Sequence, residues 1–302
     1  ERRMIDRKKL YKWCAVSAEE LKKSKDLKVR LRVVKDSAEM GEIMARDLVE
    51  EIKAANRENR ECRAIIPCGP KSWYKPFTRM INEEEVSMKN FIGLHMDECL
   101  DWQGRLLPEN DPQNFHTFME ANFYGPVRKE LRTPESQRFY PRPDNLEQMH
   151  ALAMEKQPDI TLGGWGQDGH VAYNQARREP YSQITLEELR NSRIRIQNNN
   201  WDTIIAMSQR SFGGAYQFVA PMSITYGLQE CFSSKKIRIY SDTGAWKQTA
   251  LRVLLLGEQD AEYPFTLLHD HPDVIATATE EVCRHPISEN PDWVFRGIND
   301  EI

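Results

Sequence analysis

The hydrophobic positions of this chain form short apolar runs that alternate with longer amphipathic stretches. VRLRVV (29–34) is typical of a buried strand, and the apolar residues of the following SAEMGEIMARDLVEEIKAA recur at helical spacing after a predicted Ser37 cap. Five more runs predict strands: CRAIIP (62–67), FIGLHMD (91–97), DITLGG, IRIYSD (237–242) and VIATAT (274–279). Short strands that alternate with helices predict an α/β fold, a doubly wound, mostly parallel sheet with helices on both faces.

The simplest division of the chain is one domain with a short extension. We assign residues 1–28 to a basic N-terminal extension and residues 29–302 to a single α/β domain. Residues 1–32 hold twelve Lys and Arg against five Asp and Glu, and we interpret them as a solvated helical arm because the acids are interleaved. Two polar, irregular segments, 101–117 and 176–200, predict long loops, which often serve as lids or binding loops.

Composition narrows the range of functions. The net charge of -4 gives no reason to expect binding to nucleic acid or to an anionic membrane. No apolar stretch approaches transmembrane length, and the first residues lack the apolar core of a signal peptide. The six cysteines include no C-x-x-C pair, which predicts free thiols and a reducing compartment. We therefore expect a cytoplasmic protein.

Unusual polar residues follow four of the predicted strands. Ligands of such sheets bind at the carboxyl ends of the strands, where the strand order reverses. Two strand ends carry acid–base groups, and two carry groups that bind anions. They are Asp97 and Glu98 in HMDE, Asp168 and His170 in LGGWGQDGHVAYNQ, Gly69, Lys71 and Ser72 in CGPKS, and Lys247 in SDTGAWK. An ordinary turn or helix cap explains each one alone, but their convergence on one rim favours a site.

Three segments resemble signatures of the glucosamine-6-phosphate deaminase/isomerase family. They are HMDE, NFHTFMEANFY and LGGWGQDGHVAYN, which are similar to the family's M-D-E-Y, S-x-M-x-x-N-F-F and G-G-x-G-x-D-G-H-I-A-F-N-E-P, in the same order. Weaker similarity covers residues 29–285. The D-G-H turn is shared with 6-phosphogluconolactonases, which resemble the deaminases in fold, but VAYN after the histidine favours the deaminases.

The resemblance implies an enzyme that opens a sugar 6-phosphate and isomerises the aldose to a ketose, with release of ammonia from an amino sugar. Asp97 matches the family residue that moves a proton between C1 and C2. His170 matches the ring-opening residue, and Asp168 matches the acid that orients its imidazole. Lys247 matches one ligand of the substrate phosphate, and Arg210 in MSQRSF matches another within one residue of register.

The chain departs from the family at two places. The CGPKS turn stands where the family has a Gly-Gly-Ser/Thr-Pro loop; it keeps Gly69 and Ser72 but adds Lys71. Gln175 stands where the family has a glutamate, and an amide adds no charge to stabilise the imidazolium form of the histidine. Either Glu179-Pro180, four residues later, places a carboxylate in the site, or the chemistry differs. We expect an altered substrate or pH optimum rather than an inactive site.

Other functions stay open at this point. A 6-phosphogluconolactonase-like hydrolase would use the histidine as a base on water and would not need Asp97. A non-catalytic sugar-phosphate sensor would resemble the effector domains of some transcription regulators, but residues 1–28 are too short and charged for a helix-turn-helix. A metal site using His95 with Asp97, or His269 with His271, lacks a third ligand in the sequence. We expect no metal and no cofactor, and the sequence leaves open whether the chain forms a homo-oligomer.

Overall fold

The computed structural model of the protein describes residues 5–176, 183–290 and residue 292. Ten strands lie in these ranges: β1 (Arg30–Val34), β2 (Cys62–Ile66), β3 (Phe91–His95), β4 (Asp97–Leu100), β5 (Arg138–Phe139), β6 (Ile160–Gly164), β7 (Arg195–Asn198), β8 (Met222–Thr225), β9 (Lys236–Ser241) and β10 (Val274–Thr279). The α-helices are α1 (Arg7–Cys14), α2 (Ala18–Lys23), α3 (Ser37–Arg57), α4 (Tyr74–Glu83), α5 (Phe115–Met119), α6 (Leu146–Met154), α7 (Leu186–Arg190), α8 (Trp201–Ser211), α9 (Leu228–Cys231), α10 (Gln248–Leu256), α11 (Glu280–Cys283) and α12 (Pro286–Glu289).

Seven strands form a parallel central sheet in the order β1-β10-β9-β6-β2-β3-β5. The chain adds β3 and β5 on one side of β2 and then adds β6, β9 and β10 on the other side. The strand order therefore reverses between β2 and β6, which is where ligands bind in open α/β sheets. The predicted α/β fold with a mostly parallel sheet is confirmed.

Each face of the sheet packs against its own layer of helices, because successive strand residues point to opposite faces. In β2, Ile65 belongs to the core cluster that includes α6 and α10, whereas Ala64 and Ile66 belong to the cluster that includes α3 and α4. All three residues are fully buried. Both faces of the sheet are therefore covered, and its carboxyl edge stays available for a site.

A second sheet and several element boundaries differ from the predictions. The predicted strand 91–97 is two strands, since β4 leaves the central sheet and pairs antiparallel with β8, which also pairs antiparallel with β7. The segment 176–200, predicted as a loop, contains α7 and β7. The predicted Ser37 cap of α3 is also wrong, because the Asp36 side chain accepts the hydrogen bond from the Glu39 backbone N–H at 3.0 Å.

The basic N-terminal residues pack against the domain rather than extending as a solvated arm. They form α1 and α2, which bury Cys14 and Leu21. The buried Arg252 guanidinium of α10 donates to the Val16 carbonyl between these two helices at 2.8 Å. Burial of apolar side chains and this charged hydrogen bond hold the segment on the domain.

The six cysteines are all buried free thiols, as predicted from their spacing. Among residues 5–176 and 183–290, no helix combines the length and the apolar character that crossing a membrane requires.

Gly41 sets how closely α3 approaches the turn that follows β2. A Cβ atom at this position would lie 2.7 Å from the Ser72 carbonyl carbon and closer still to its oxygen. Glycine to alanine in a helix normally stabilises a protein by about 1 kcal/mol. Here we expect Gly41→Ala to lower the free energy of unfolding by about 1–3 kcal/mol, because the turn must move. Urea unfolding measures this difference.

The control is Arg57→Ala at the exposed end of the same helix, where we expect a change within about 0.5 kcal/mol. If Gly41→Ala stabilises the protein, the turn after β2 does not press on α3.

Candidate active site

A cavity of about 420 Å³ lies at the carboxyl edge of the central sheet, over the point where the strand order reverses. Residues that follow β2, β3, β6 and β9 line it, together with residues of α8. Six of the predicted site residues lie in its wall: Gly69, Lys71, Asp97, His170, Arg210 and Lys247. The structure therefore brings residues that are far apart in the sequence into one volume large enough for a small ligand.

Asp97 and Glu98 point in different directions because they are neighbours in β4. The Glu98 carboxylate accepts hydrogen bonds from the backbone N–H groups of Phe115 and His116, both at 2.8 Å, and so caps α5. The Asp97 carboxylate lines the cavity and makes no side-chain hydrogen bond within the described ranges. Burial, with a further contribution from the Glu98 charge, raises the pKa of Asp97 to about 7. Asp97 is therefore suited to take and return a proton near neutral pH.

The Asp168–His170 pair sits in a tight turn after β6. The His170 Nδ1 lies 2.6 Å from Asp168 Oδ1. Burial would raise the pKa of Asp168, but the charge and hydrogen bonds of His170 lower it to about 2. An ionised carboxylate only accepts hydrogen bonds, so Nδ1 carries a proton, and in the neutral form of the ring Nε2 is the acceptor. Glycine is required at position 166, because a Cβ atom there would overlap the His170 ring.

Gln175 lies directly behind this pair, with its amide held by α8. The Oε1 atom accepts from the Asn200 backbone N–H at 3.1 Å, and Nε2 contacts Thr203 Oγ1. The same Nε2 lies 3.2 Å from Asp168 Oδ2 and 3.3 Å from His170 Nδ1. Gln175 therefore adds a neutral donor where a glutamate would add a second negative charge. Glu179-Pro180, the alternative source of a carboxylate, lies outside the described residues.

Two cations lie near each other in the cavity wall. The Lys247 ammonium donates to the Trp165 carbonyl. Burial, and then the positive charge of Arg210, lower the pKa of Lys247 to about 8. Neither side chain forms an ion pair with a carboxylate in the part of the chain that the structure describes. Two cations in one wall that form no ion pair among the described residues favour an anionic ligand.

The CGPKS turn reaches the cavity only in part. Gly69 and Lys71 line the cavity, and the Lys71 ammonium lies 4.2 Å from the Phe118 ring centroid. Ser72 is half-buried against α3 and is not in the cavity wall. Its hydroxyl is buried without a hydrogen-bond partner in the described ranges. The turn therefore presents Lys71 rather than Ser72 to a ligand.

The histidines of the metal hypothesis have other partners. The His95 ring stacks on Tyr140 with centroids 3.9 Å apart, and its Nε2 lies 3.1 Å from the Tyr124 hydroxyl. His269 and His271 lie 2.7 and 2.8 Å from backbone carbonyl oxygens. Among the described residues, no three His, Cys, Asp or Glu side chains group as metal ligands do.

Comparison with known sequences gives one consistent result. No family model matches the chain. A glucosamine-6-phosphate deaminase of Serratia proteamaculans is 29% identical over 263 residues, which cover 83% of this chain and 91% of the relative. A glucosamine-6-phosphate deaminase of Parabacteroides distasonis is 28% identical over 263 residues, 84% of this chain and 90% of the relative.

Solved structures extend this result to the fold. A monomeric glucosamine-6-phosphate deaminase superposes with a TM-score of 0.68 at 22% identity, over 84% of this chain and 98% of that one. The 6-phosphogluconolactonase of Trypanosoma cruzi superposes with a TM-score of 0.56 at 16% identity, over 88% of this chain and 97% of that one. The chain is therefore similar in sequence to glucosamine-6-phosphate deaminases, and it shares its fold with the solved deaminase and with the 6-phosphogluconolactonase.

In this protein, α8 contributes more to the candidate site than the sequence indicated. Only Arg210 of this helix was predicted to act, yet Asn200 at its N-terminus and Thr203 in its first turn both hold the Gln175 amide. Their spacing carries no recognisable motif. The structure shows the connection, because Gln175 bonds both to α8 and to Asp168. The helix that carries Arg210 is therefore linked to the Asp168–His170 pair through Gln175.

The neutral amide at position 175 should set the lower pH limit of activity. In Gln175→Glu, a second carboxylate would stabilise the imidazolium form of His170, which cannot act as a base. We expect the acidic limb of the kcat/KM profile to move to higher pH, by about one unit. Steady-state rates between pH 5 and 9 measure the shift.

Gln157→Glu is the matched control, because Gln157 is exposed and precedes β6 at the opposite edge of the sheet. Its profile should match that of the unmodified chain. Equal profiles for all three proteins would mean that the charge at position 175 is not coupled to His170.

Proposed function

We propose that the protein is a glucosamine-6-phosphate deaminase-like enzyme, which converts an amino-sugar 6-phosphate to a ketose 6-phosphate with release of ammonia. The observation that carries the proposal is that the Asp97 carboxylate lies in one cavity with His170 and with two cations, those of Arg210 and Lys247. Proton transfer at a carbon atom of the sugar needs a base such as the carboxylate, opening of the sugar ring needs a group such as the histidine, and binding of the phosphate needs the cations. The deaminases named among the relatives catalyse a reaction with these three requirements.

Ring opening is the first step, and His170 performs it. The imidazole Nε2 faces the ligand as a neutral acceptor, because Nδ1 donates to Asp168. It takes the proton of the anomeric hydroxyl and returns one to the ring oxygen as the C1–O5 bond breaks. The Asp168 carboxylate stabilises the imidazolium that forms between these transfers.

Proton transfer along the sugar chain is the second step, and Asp97 performs it. The carboxylate removes the proton from C2 of the open aldose and delivers a proton to C1, while O1 gains a proton and the nitrogen loses one, which leaves a C1 hydroxyl and an imine at C2. Water adds to this imine, and ammonia leaves as the C2 ketone forms, so the balance is amino-sugar phosphate plus water to ketose phosphate plus ammonia. A pKa of about 7 keeps Asp97 able both to accept and to donate near neutral pH.

Lys247 and Arg210 hold the phosphate in this proposal. Both line the cavity, and their side chains lack carboxylate partners within the described ranges. Charge-assisted hydrogen bonds to a phosphate are stronger than those between neutral groups. A fixed phosphate places C1 and C2 against Asp97 rather than leaving the sugar free to turn.

Several broader properties belong to the same proposal. We infer a cytoplasmic enzyme, because six buried free thiols suit a reducing compartment. The partner is a small sugar phosphate, with no role for nucleic acid or a membrane, and a homo-oligomer is compatible with it.

The test is a panel of glucosamine 6-phosphate, other amino-sugar and plain sugar 6-phosphates, and 6-phosphogluconolactone, with ammonia, ketose and acid formation followed separately. We expect ammonia and ketose from an amino-sugar 6-phosphate. Lys247→Ala should raise KM for that substrate by a factor equivalent to about 1–3 kcal/mol, and it should not alter the binding of unphosphorylated glucosamine.

Lys235→Ala is the control, because Lys235 is an exposed cation beside Asp159 before β9, at the opposite edge. Hydrolysis of the lactone without release of ammonia would show that the protein is a lactonase rather than a deaminase. If no member of the panel is turned over, the protein is not an enzyme for these sugars.

A further inference from the structure

The turn after β2 offers fewer backbone donors to a phosphate than a glycine-rich loop would. Gly69 is followed by Pro70, which has no backbone N–H. Both residues pack on the end of β6, because a Cβ atom at Gly164 would lie 3.7 Å from Pro70 Cδ and 3.8 Å from the Gly69 oxygen. The Lys71 ammonium is turned toward the Phe118 ring. The turn therefore has one backbone donor fewer to offer a phosphate, and donors from another element would compensate for it.

The end of β9 carries two hydroxyls that have no assigned role. Ser241 and Thr243 both line the cavity. Their Oγ atoms are buried and make no hydrogen bond to any residue that the structure describes. Ser241 is 3% exposed, so only a molecule inside the cavity can reach its hydroxyl. Buried hydroxyls normally have a hydrogen-bond partner, and exceptions often mark a ligand that is not in place.

The surroundings of these hydroxyls favour an anion. Lys247 lies four residues after Thr243, and burial together with the nearby Arg210 charge lowers its pKa. Besides Asp97, the Asp242 carboxylate lines the cavity, and its charge partly offsets the lowering of the Lys247 pKa. The Ser37 hydroxyl, at the start of α3, donates to Asp242 at 2.5 Å. Asp242 thus has its own donor, whereas the hydroxyls on either side of it have no acceptor.

We propose that Ser241 and Thr243 donate hydrogen bonds to the phosphate oxygens of the substrate and determine its preference for a phosphorylated sugar. The two hydroxyls act beside Lys247 and Arg210 in place of the backbone donor that Pro70 lacks. This inference rests on the proposed function for the identity of the substrate. The binding of phosphate by the two hydroxyls can be measured without any turnover.

Inorganic phosphate is the first probe, with the full chain and the variants Ser241→Ala and Thr243→Val. Valine has nearly the shape of threonine and lacks the hydroxyl. We expect each variant to weaken phosphate binding about ten- to a hundredfold in a thermal-shift titration, the loss typical of one hydrogen bond to a charged group. Thr243→Ser keeps the hydroxyl and should retain the affinity of the unmodified chain.

Thr133→Val is the matched control, because the Thr133 hydroxyl is also buried without a partner in the described ranges but lies outside this cavity. Without phosphate, the Tm of Ser241→Ala and Thr243→Val should equal or exceed that of the unmodified chain, since each change removes an unpartnered buried polar group. With glucosamine 6-phosphate, KM should rise by the same factor as the phosphate Kd while kcat changes less than about twofold.

Phosphate affinity equal to that of Thr133→Val in both hydroxyl variants would overturn the inference. If either variant fails to fold, Thr243→Ser decides the question, because it keeps the hydroxyl. A loss of phosphate affinity in Thr243→Ser would also overturn the inference. Weakened phosphate binding in a protein that deaminates no sugar phosphate would support the hydroxyl site and contradict the proposed function.

Discussion

The candidate site centres on one carboxylate, that of Asp97, which is half-buried in the cavity wall and makes no side-chain hydrogen bond within the described ranges. Asp97 begins β4 at the point where the chain leaves the central sheet, and pairing of β4 with β8 places Asp97 opposite Thr225. Its neighbour Glu98 caps α5 and so cannot turn toward the cavity. Burial raises the pKa of Asp97 to about 7. Ionising such a group costs stability in the folded protein, which is a common property of functional sites.

The parallel sheet explains why the other groups meet Asp97. Four strands end at the same edge, and each continues into a turn whose side chains project over the reversal of strand order. Within the turn after β6, Gly166 leaves room for the His170 ring, which Asp168 then orients. Through Gln175, α8 is bonded to this same pair. Movement of α8 would therefore change the position of Arg210 and the hydrogen bonds around His170 together.

Local patterns predicted the strands and the placement of polar residues at their ends, because short apolar runs and glycine-rich turns are encoded over a few residues. The antiparallel sheet was missed, since β4, β7 and β8 are short and β4 pairs with β8 across more than a hundred residues. The cap of α3 was assigned one residue late, because Asp36 and Ser37 are both good cap residues and only the structure distinguishes them.

Solvent-deuterium exchange tests the role of Asp97 most directly. The unmodified chain and Asp97→Asn are each incubated with glucosamine 6-phosphate in D₂O, and mass spectrometry follows deuterium at C1 and C2. We predict exchange with the unmodified chain. With Asp97→Asn we predict no exchange above background, while the affinity for inorganic phosphate stays within about twofold because Lys247 and Arg210 are unchanged. Exchange by Asp97→Asn at the unmodified rate would show that this carboxylate does not carry the proton.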